Sequence, residues 1–247
     1  MRRERHVLLV DVGPESMEGL SGRVRRLGLR TVRAKTSDEA VAAFRDPRFR
    51  IGAVVIPPEL PALDLERAVA ALRGAGEGGE LPLLAAGTRP DADLRARLRR
   101  AGVRFALWSP VDEPTLRFQL NRALADAASA EEKRARDRRA LRVPAQWPVE
   151  VSSGGRCKAA TLTSLSASGA FLATPRPSLP RALLHFTLPL PSGDMRVAAE
   201  VVMTNVPGNL AKRNLPLGMG VRFRGVSDEV ETQVRAFTEE RAQALQV

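Results

Sequence analysis

The chain contains a single cysteine, Cys157, which excludes an intrachain disulfide and any cysteine-based metal cluster. Histidine is almost as scarce. His6 and His185 stand far apart without neighbouring ligands at metal spacing, so no metal is expected. Long hydrophobic runs are missing too. The N-terminus is basic (Arg2, Arg3, Arg5), but the apolar run Val7-Leu8-Leu9-Val10 stops at Asp11, too short for a signal peptide or a membrane span. A cytoplasmic location and no membrane partner are expected. No Ser, Cys or Thr nucleophile sits in a recognisable elbow beside a base, and no other catalytic set converges, so the chain is not expected to be an enzyme. Lysine supplies only four of the 39 basic residues (Lys35, Lys133, Lys158 and Lys212).

The remaining basic residues are arginine, and the formal net charge is +11. Guanidinium forks pair with phosphates and carboxylates and stack on flat bases, so an anionic partner fits. Most of the excess reads as the coding bias of a GC-rich genome, and charge alone assigns no partner. No groove-reading DNA module is visible, which leaves nucleic acid with arginine density alone in its favour.

At 247 residues the chain suits two domains rather than one. Short apolar runs alternate with amphipathic segments through the first half. Val7–Val10, Thr31–Ala34, Ile51–Ile56, Leu81–Ala86 and Phe105–Trp108 read as buried strands. Between them run helices: one opened by Pro14 and closed by Gly28, one capped by Ser37-Asp38, Leu65–Leu72, Asp91–Arg100, and a last one from near Pro114. Five such alternations imply a doubly wound, five-stranded parallel sheet covered on both faces. The Gly74–Gly79 stretch follows a helix and precedes a strand, the reverse of a dinucleotide loop, and reads as a connector.

After about Ala127 the run Glu131–Arg139 is charged throughout without an apolar stripe, as in an exposed linker. Beyond Pro144 the texture is all-β. Val149–Val151, Ala160–Leu165, Ala170–Ala173, Leu183–Leu188, Val197–Val202 and Met219–Phe223 are separated by Ser-Gly, Pro and Asn-Pro type breaks, as in a small antiparallel barrel. Ser227 caps a final helix through Val230, Val234 and Phe237. The expected layout is residues 1–127, an α/β domain; 128–143, a charged helical linker; and 144–247, a β-barrel domain with a C-terminal helix.

The alternation over residues 6–126, with Asp11 after the first strand and Ser109-Pro110 after the fifth, resembles the receiver domain of bacterial response regulators, a flavodoxin-like fold. That family holds Mg²⁺ with acids, accepts phosphate on an Asp and neutralises charge with a Lys, all at the carboxyl ends of its strands. Here only Asp11 matches. Val12 stands where a second acid is expected, Pro57 where the phosphoacceptor would be, and Ser109 where the Lys would be, with Thr88 near the hydroxyl position. Proline carries no nucleophile and one acid rarely holds Mg²⁺ alone. Asp11 itself reads as a helix cap or a loop acid. The resemblance therefore implies a pseudo-receiver that docks or dimerises, through a face around the helix at Asp91–Arg100 and the one after it, where Arg95, Arg97, Arg99 and Arg100 meet an acidic partner or solvent.

At the junction stands Arg138-Arg139-Ala140-Leu141-Arg142. Farther on comes Ser164-Leu165-Ser166-Ala167-Ser168-Gly169, then Gly218-Met219-Gly220-Val221-Arg222-Phe223. These resemble the PilZ domain, with its RxxxR arm, [D/N]xSxxG turn and closing strand. RxxxR spacing recurs elsewhere (Arg26/Arg30, Arg95/Arg99), so position before the β-domain gives Arg138/Arg142 their weight. The resemblance implies binding of cyclic di-GMP. Arg138 and Arg142, with Arg139 beside them, would meet phosphates and a guanine. Ser166 would offer a hydroxyl, and Gly169 a close backbone approach. Ser164 replaces the Asp or Asn of the pattern. A hydroxyl there reaches less far towards guanine N–H donors, at about 1–3 kcal/mol per polar pairing lost. Trp147 reads as a packing residue at the barrel mouth. The implied function is a signalling adaptor acting on a signalling or motility protein, with a homodimer through the charged run as one arrangement. A protein-interaction adaptor that has lost its ligand is the alternative.

Overall fold

The computed structural model describes residues 5–11, 17–59, 70, 81–126, 141–208 and 214–247. The chain divides into two compact units, Met1–Asp137 with Leu245–Val247, and Arg138–Ala244. The expected helix Leu65–Leu72, apart from Ala70, the connector Gly74–Gly79 and the charged run Glu131–Arg139 lie outside the described residues.

The first unit carries a parallel sheet of β1 (His6–Val10), β2 (Arg30–Ala34), β3 (Ile51–Ile56), β4 (Leu83–Gly87) and β5 (Phe105–Trp108) in the order β2-β1-β3-β4-β5. Successive strand residues point to opposite faces, so a run that is apolar throughout needs cover on both. The described helices are α1 (Glu18–Arg26), α2 (Ser37–Arg45), α3 (Ala92–Arg100) and α4 (Glu113–Asp126). Leu8, Val10, Val54 and Ile56 pack with Ala40 of α2 and Leu98 of α3. Val7, Leu9 and Val55 pack with Val24 of α1 and with Leu116 and Leu120 of α4. Gly28 follows α1 at φ +77°, a left-handed position that costs glycine no Cβ clash.

The cap of α2 is not Ser37 but Thr36, whose Oγ1 accepts the Glu39 N–H at 3.1 Å. Glu39 reaches back to the Lys35 N–H at 2.6 Å. The Thr-x-x-Glu spacing thus gives a variant of the capping box, in which Thr36 satisfies one amide of the first turn and Glu39 closes on the residue before the cap. Asp91, expected as the first residue of α3, is instead its cap, accepting from Leu94 N–H at 2.8 Å.

The second unit is a closed barrel of β6 (Arg142–Ser153), β7 (Arg156–Ser166), β8 (Gly169–Ala173), β9 (Leu183–Leu190), β10 (Gly193–Asn205) and β11 (Gly218–Arg224), ordered β10-β11-β8-β7-β6-β9. Alternate residues such as Leu184, Phe186, Leu188 and Val197, Ala199, Val201 fill its interior. Helix α5 (Asp228–Ala244) lays Val234, Thr238 and Ala242 on the barrel. Its start accepts a cap from Ser227, whose Oγ lies 3.4 Å from the Val230 N–H. Trp147 packs against Phe237 of this helix with ring centroids 5.0 Å apart, which is the packing role expected of it.

Candidate ligand site

In a sheet of order 2-1-3-4-5, ligands bind where the strand order reverses, beyond the carboxyl ends of β1 and β3. Asp11 stands after β1, the buried pair Pro57-Pro58 after β3, exposed Thr88 after β4, and Ser109 after β5. Asp11 is already engaged. Its Oδ1 accepts the Met17 N–H at the start of α1 at 2.7 Å, and its Oδ2 pairs with the Arg33 guanidinium. The Met17 amide first, then Arg33, hold its carboxyl below the ordinary value of 3.8. The carboxylate therefore serves as a local cap and ion-pair partner. Among the described residues, no group of three His, Cys, Asp or Glu side chains gathers to hold a metal.

In the barrel, the site grows from an irregularity in β7. Leu162 pairs with Leu172 on β8 and Ser164 with Phe171, so the ladder slips between them and Thr163 is the extra residue. A bulge changes which residues face inwards. Ala160 and Leu162 point into the core before it and Leu165 after it, which leaves Ser164 on the outer side. There Ser164 Oγ lies 3.2 Å from a terminal nitrogen of Arg142, the donor. Arg142 opens β6 opposite Ser166 and is exposed. Two of the expected residues are thus in direct contact.

Ser166 is placed differently. Its side chain is buried and its Oγ donates to the Gly169 carbonyl at 3.0 Å, closing the turn from β7 to β8. The close approach expected at Gly169 is present, and its partner is protein backbone. A Cβ there would come 2.1 Å from the Val221 carbonyl oxygen of β11. The turn is fixed further by the Phe223 N–H, which donates to the Ser168 carbonyl at 3.0 Å. Arg138 and Arg139 lie outside the described residues.

Beside this turn opens a cavity of about 300 Å³, lined by Leu141, Ala167, Ser168 and one face of α5: Glu231, Arg235, Thr238 and Glu239. Arg235 and Glu231 pair at 2.6 Å across one helical turn, both substantially exposed. The contribution of α5 was not read from the sequence. Its only trace there is the i, i+4 and i+7, i+8 spacing of these residues, which any solvated helix face shares.

Residues 133–240 match the PilZ domain family. Over 119 residues the chain is 27% identical to Protein PilH of Pseudomonas aeruginosa, covering 48% of this chain and 97% of that protein. Among solved structures, the receiver domain of a sensor histidine kinase from Pseudomonas aeruginosa is 25% identical, with TM-score 0.41 over 49% of this chain and 98% of that one. The PilZ domain of CeSA from a cellulose-synthesizing bacterium is 16% identical, with TM-score 0.30 over 40% of this chain and 95% of that one. The bulged turn, the arginine at the head of β6, the closed six-stranded barrel and the family match agree: the C-terminal half is a PilZ domain, and the half before it has the receiver-type fold.

Proposed function

We propose that the chain is a cyclic di-GMP-responsive signalling adaptor whose receiver-like half carries no phosphoryl chemistry. The observation that carries the reading is the contact of the Arg142 guanidinium with Ser164 beside the β7–β8 turn, whose Ala167 and Ser168 line an open cavity. An exposed guanidinium at the head of a strand presents charged donors, and a phosphate accepts them more strongly than a hydroxyl does. Arg138 and Arg139 would add further cationic forks from the arm. Ser166 and Gly169 act on the ligand indirectly, by holding the turn that presents Ala167 and Ser168. Cyclic di-GMP is a cytoplasmic messenger, which sets the chain's place of action; motility or surface-structure control is the output that PilZ likeness suggests.

Titration calorimetry of the whole chain with cyclic di-GMP tests the reading. Saturable binding is expected, weakened roughly tenfold to a hundredfold in Arg142→Ala, since a hydrogen bond to a charged group contributes about 1.5–3 kcal/mol. An absence of heat at high ligand concentration would overturn it. A second reading, an adaptor that binds protein and no nucleotide, draws on Ser164 and on the two carboxylates, Glu231 and Glu239, that line the cavity against a single Arg235.

A further inference from the structure

In a parallel sheet of order β2-β1-β3-β4-β5, β5 is an edge, and the outward amides and carbonyls of an edge strand invite another strand. Here that side of β5 is used. Gln246 forms an antiparallel bridge with Phe105. The pair is bracketed by two ladder bonds, Ala106 N–H to the Leu245 carbonyl at 3.3 Å and Val247 N–H to the Arg104 carbonyl at 3.4 Å. This is the pattern that flanks a non-hydrogen-bonded antiparallel pair. Leu245 and Val247 are buried and Gln246 is exposed, the period-two alternation of a strand. Val247 enters the core cluster that contains Leu98 and Val103.

A second feature faces this segment. Gln119 of α4 is fully buried, and its side-chain amide donates to two carbonyls, Ala106 of β5 at 2.9 Å and Leu245 at 2.5 Å. Its Oε1 has no hydrogen-bond partner. A buried primary amide has two N–H donors, and an unmet one carries the full desolvation cost. Without Leu245 the Ala106 carbonyl would satisfy one N–H and leave the second unmet beside an oxygen already unpaired. Gln119 is thus matched to a sheet with one more strand than the five it packs beneath.

We propose that the β5 edge is a strand-addition site that takes an extended antiparallel apolar–polar–apolar segment, with Gln119 reading the first carbonyl of that segment, and that its resident occupant is the chain's own Leu245–Val247. Main-chain bonds supply the attraction in such sites and alternate side-chain pockets the selectivity. Any partner that docks on the receiver-like unit by adding a strand at β5 must first displace this segment. The inference stands whether or not the barrel binds a nucleotide.

Amide hydrogen exchange of Ala106 provides the test, with the interior Val54 amide as a check that the sheet remains folded. In the full chain Ala106 is protected. Ending the chain at Ala244 is expected to speed its exchange at least about tenfold while leaving Val54 unchanged, as for a local opening. A synthetic peptide of residues 240–247 at millimolar concentration restores part of the protection, and Gln119→Leu in the shortened chain abolishes that rescue. Val247→Asp in the full chain reproduces the deprotection without shortening. Equal Ala106 exchange in full and shortened chains, or no response to the peptide, would overturn the proposal.

Discussion

At the carboxyl edge of the parallel sheet, the one acid that matches the receiver pattern is spent on an arginine and a helix amide. At the turn of the barrel, an exposed arginine that matches the PilZ pattern donates to the hydroxyl of Ser164. Asp11 is half-buried, paired and held ionised, so a newcomer would have to break a charged contact. Arg142 is exposed at the head of β6, where a phosphate could reach its guanidinium. The contrast teaches that what a pattern-matching residue is engaged with says as much about a site as which residues are missing. Pro57 alone would suggest a lost phosphoacceptor; Asp11 bound to Arg33 shows the remaining acid put to structural use.

The contrast breaks most sharply at an all-or-none experiment. Incubation of the whole chain with acetyl phosphate and Mg²⁺ is expected to leave its intact mass unchanged, because proline stands where the carboxylate nucleophile would be. Stoichiometric addition of one phosphoryl group would show that the first unit keeps its chemistry elsewhere. Next in size is Gly169→Ala. The new methyl would meet backbone of β11, which cannot swing aside as a side chain can, and a misfit of this kind costs about 1–3 kcal/mol. Thermal unfolding of the barrel unit should fall clearly while that of the parallel-sheet unit holds. An unchanged melt would mean that β8 and β11 are not so closely seated.

Ser164→Asp sharpens the comparison on the ligand side. A carboxylate at that bulged, outward position restores the acceptor for guanine N–H donors, and one polar pairing of this kind converts to about a tenfold gain in affinity. The gain is partly offset by a stronger hold on Arg142, 3.2 Å from the present hydroxyl. Calorimetry that finds no tightening would show that position 164 does not face the base.

Much of both folds was legible because their signals are periodic. Runs such as Leu8–Val10 and Val54–Ile56, apolar on every residue, require cover on both sheet faces, and that fixes an α/β layer structure. The barrel strands came out shorter in the sequence than in the structure. Val149–Val151 marks only the later part of β6, which runs from Arg142 to Ser153, because Pro144, Gln146 and Pro148 hide its N-terminal half. Ser166 was read as a ligand donor since sequence cannot tell a hydroxyl pointing out of a turn from one closing it. The bridging segment Leu245–Val247 leaves no sequence signal for a related reason: three residues carry too little periodicity, and the Gln119 amide that receives Leu245 lies 126 positions away.

The smallest effect expected concerns Asp11 and follows from linkage. Its carboxyl titrates below 3.8 in the folded chain, mainly through the Met17 amide and then Arg33. A carboxyl with a depressed folded value binds its proton more tightly in the unfolded state, so folding gains from its ionisation. That contribution is complete above about pH 4 and disappears as the pH falls through the folded value. Asp11→Asn keeps the shape but loses the charge, so it should cost about 1 kcal/mol or less at pH 7, given that the Arg33 side chain is 35% exposed and the pair is screened. Denaturant titrations of the two proteins should then converge as the pH falls through the folded value of Asp11. A gap that persists at low pH would assign the role of Asp11 to its hydrogen-bond geometry, which asparagine imitates poorly, and would remove the ion pair as the reason this acid is held.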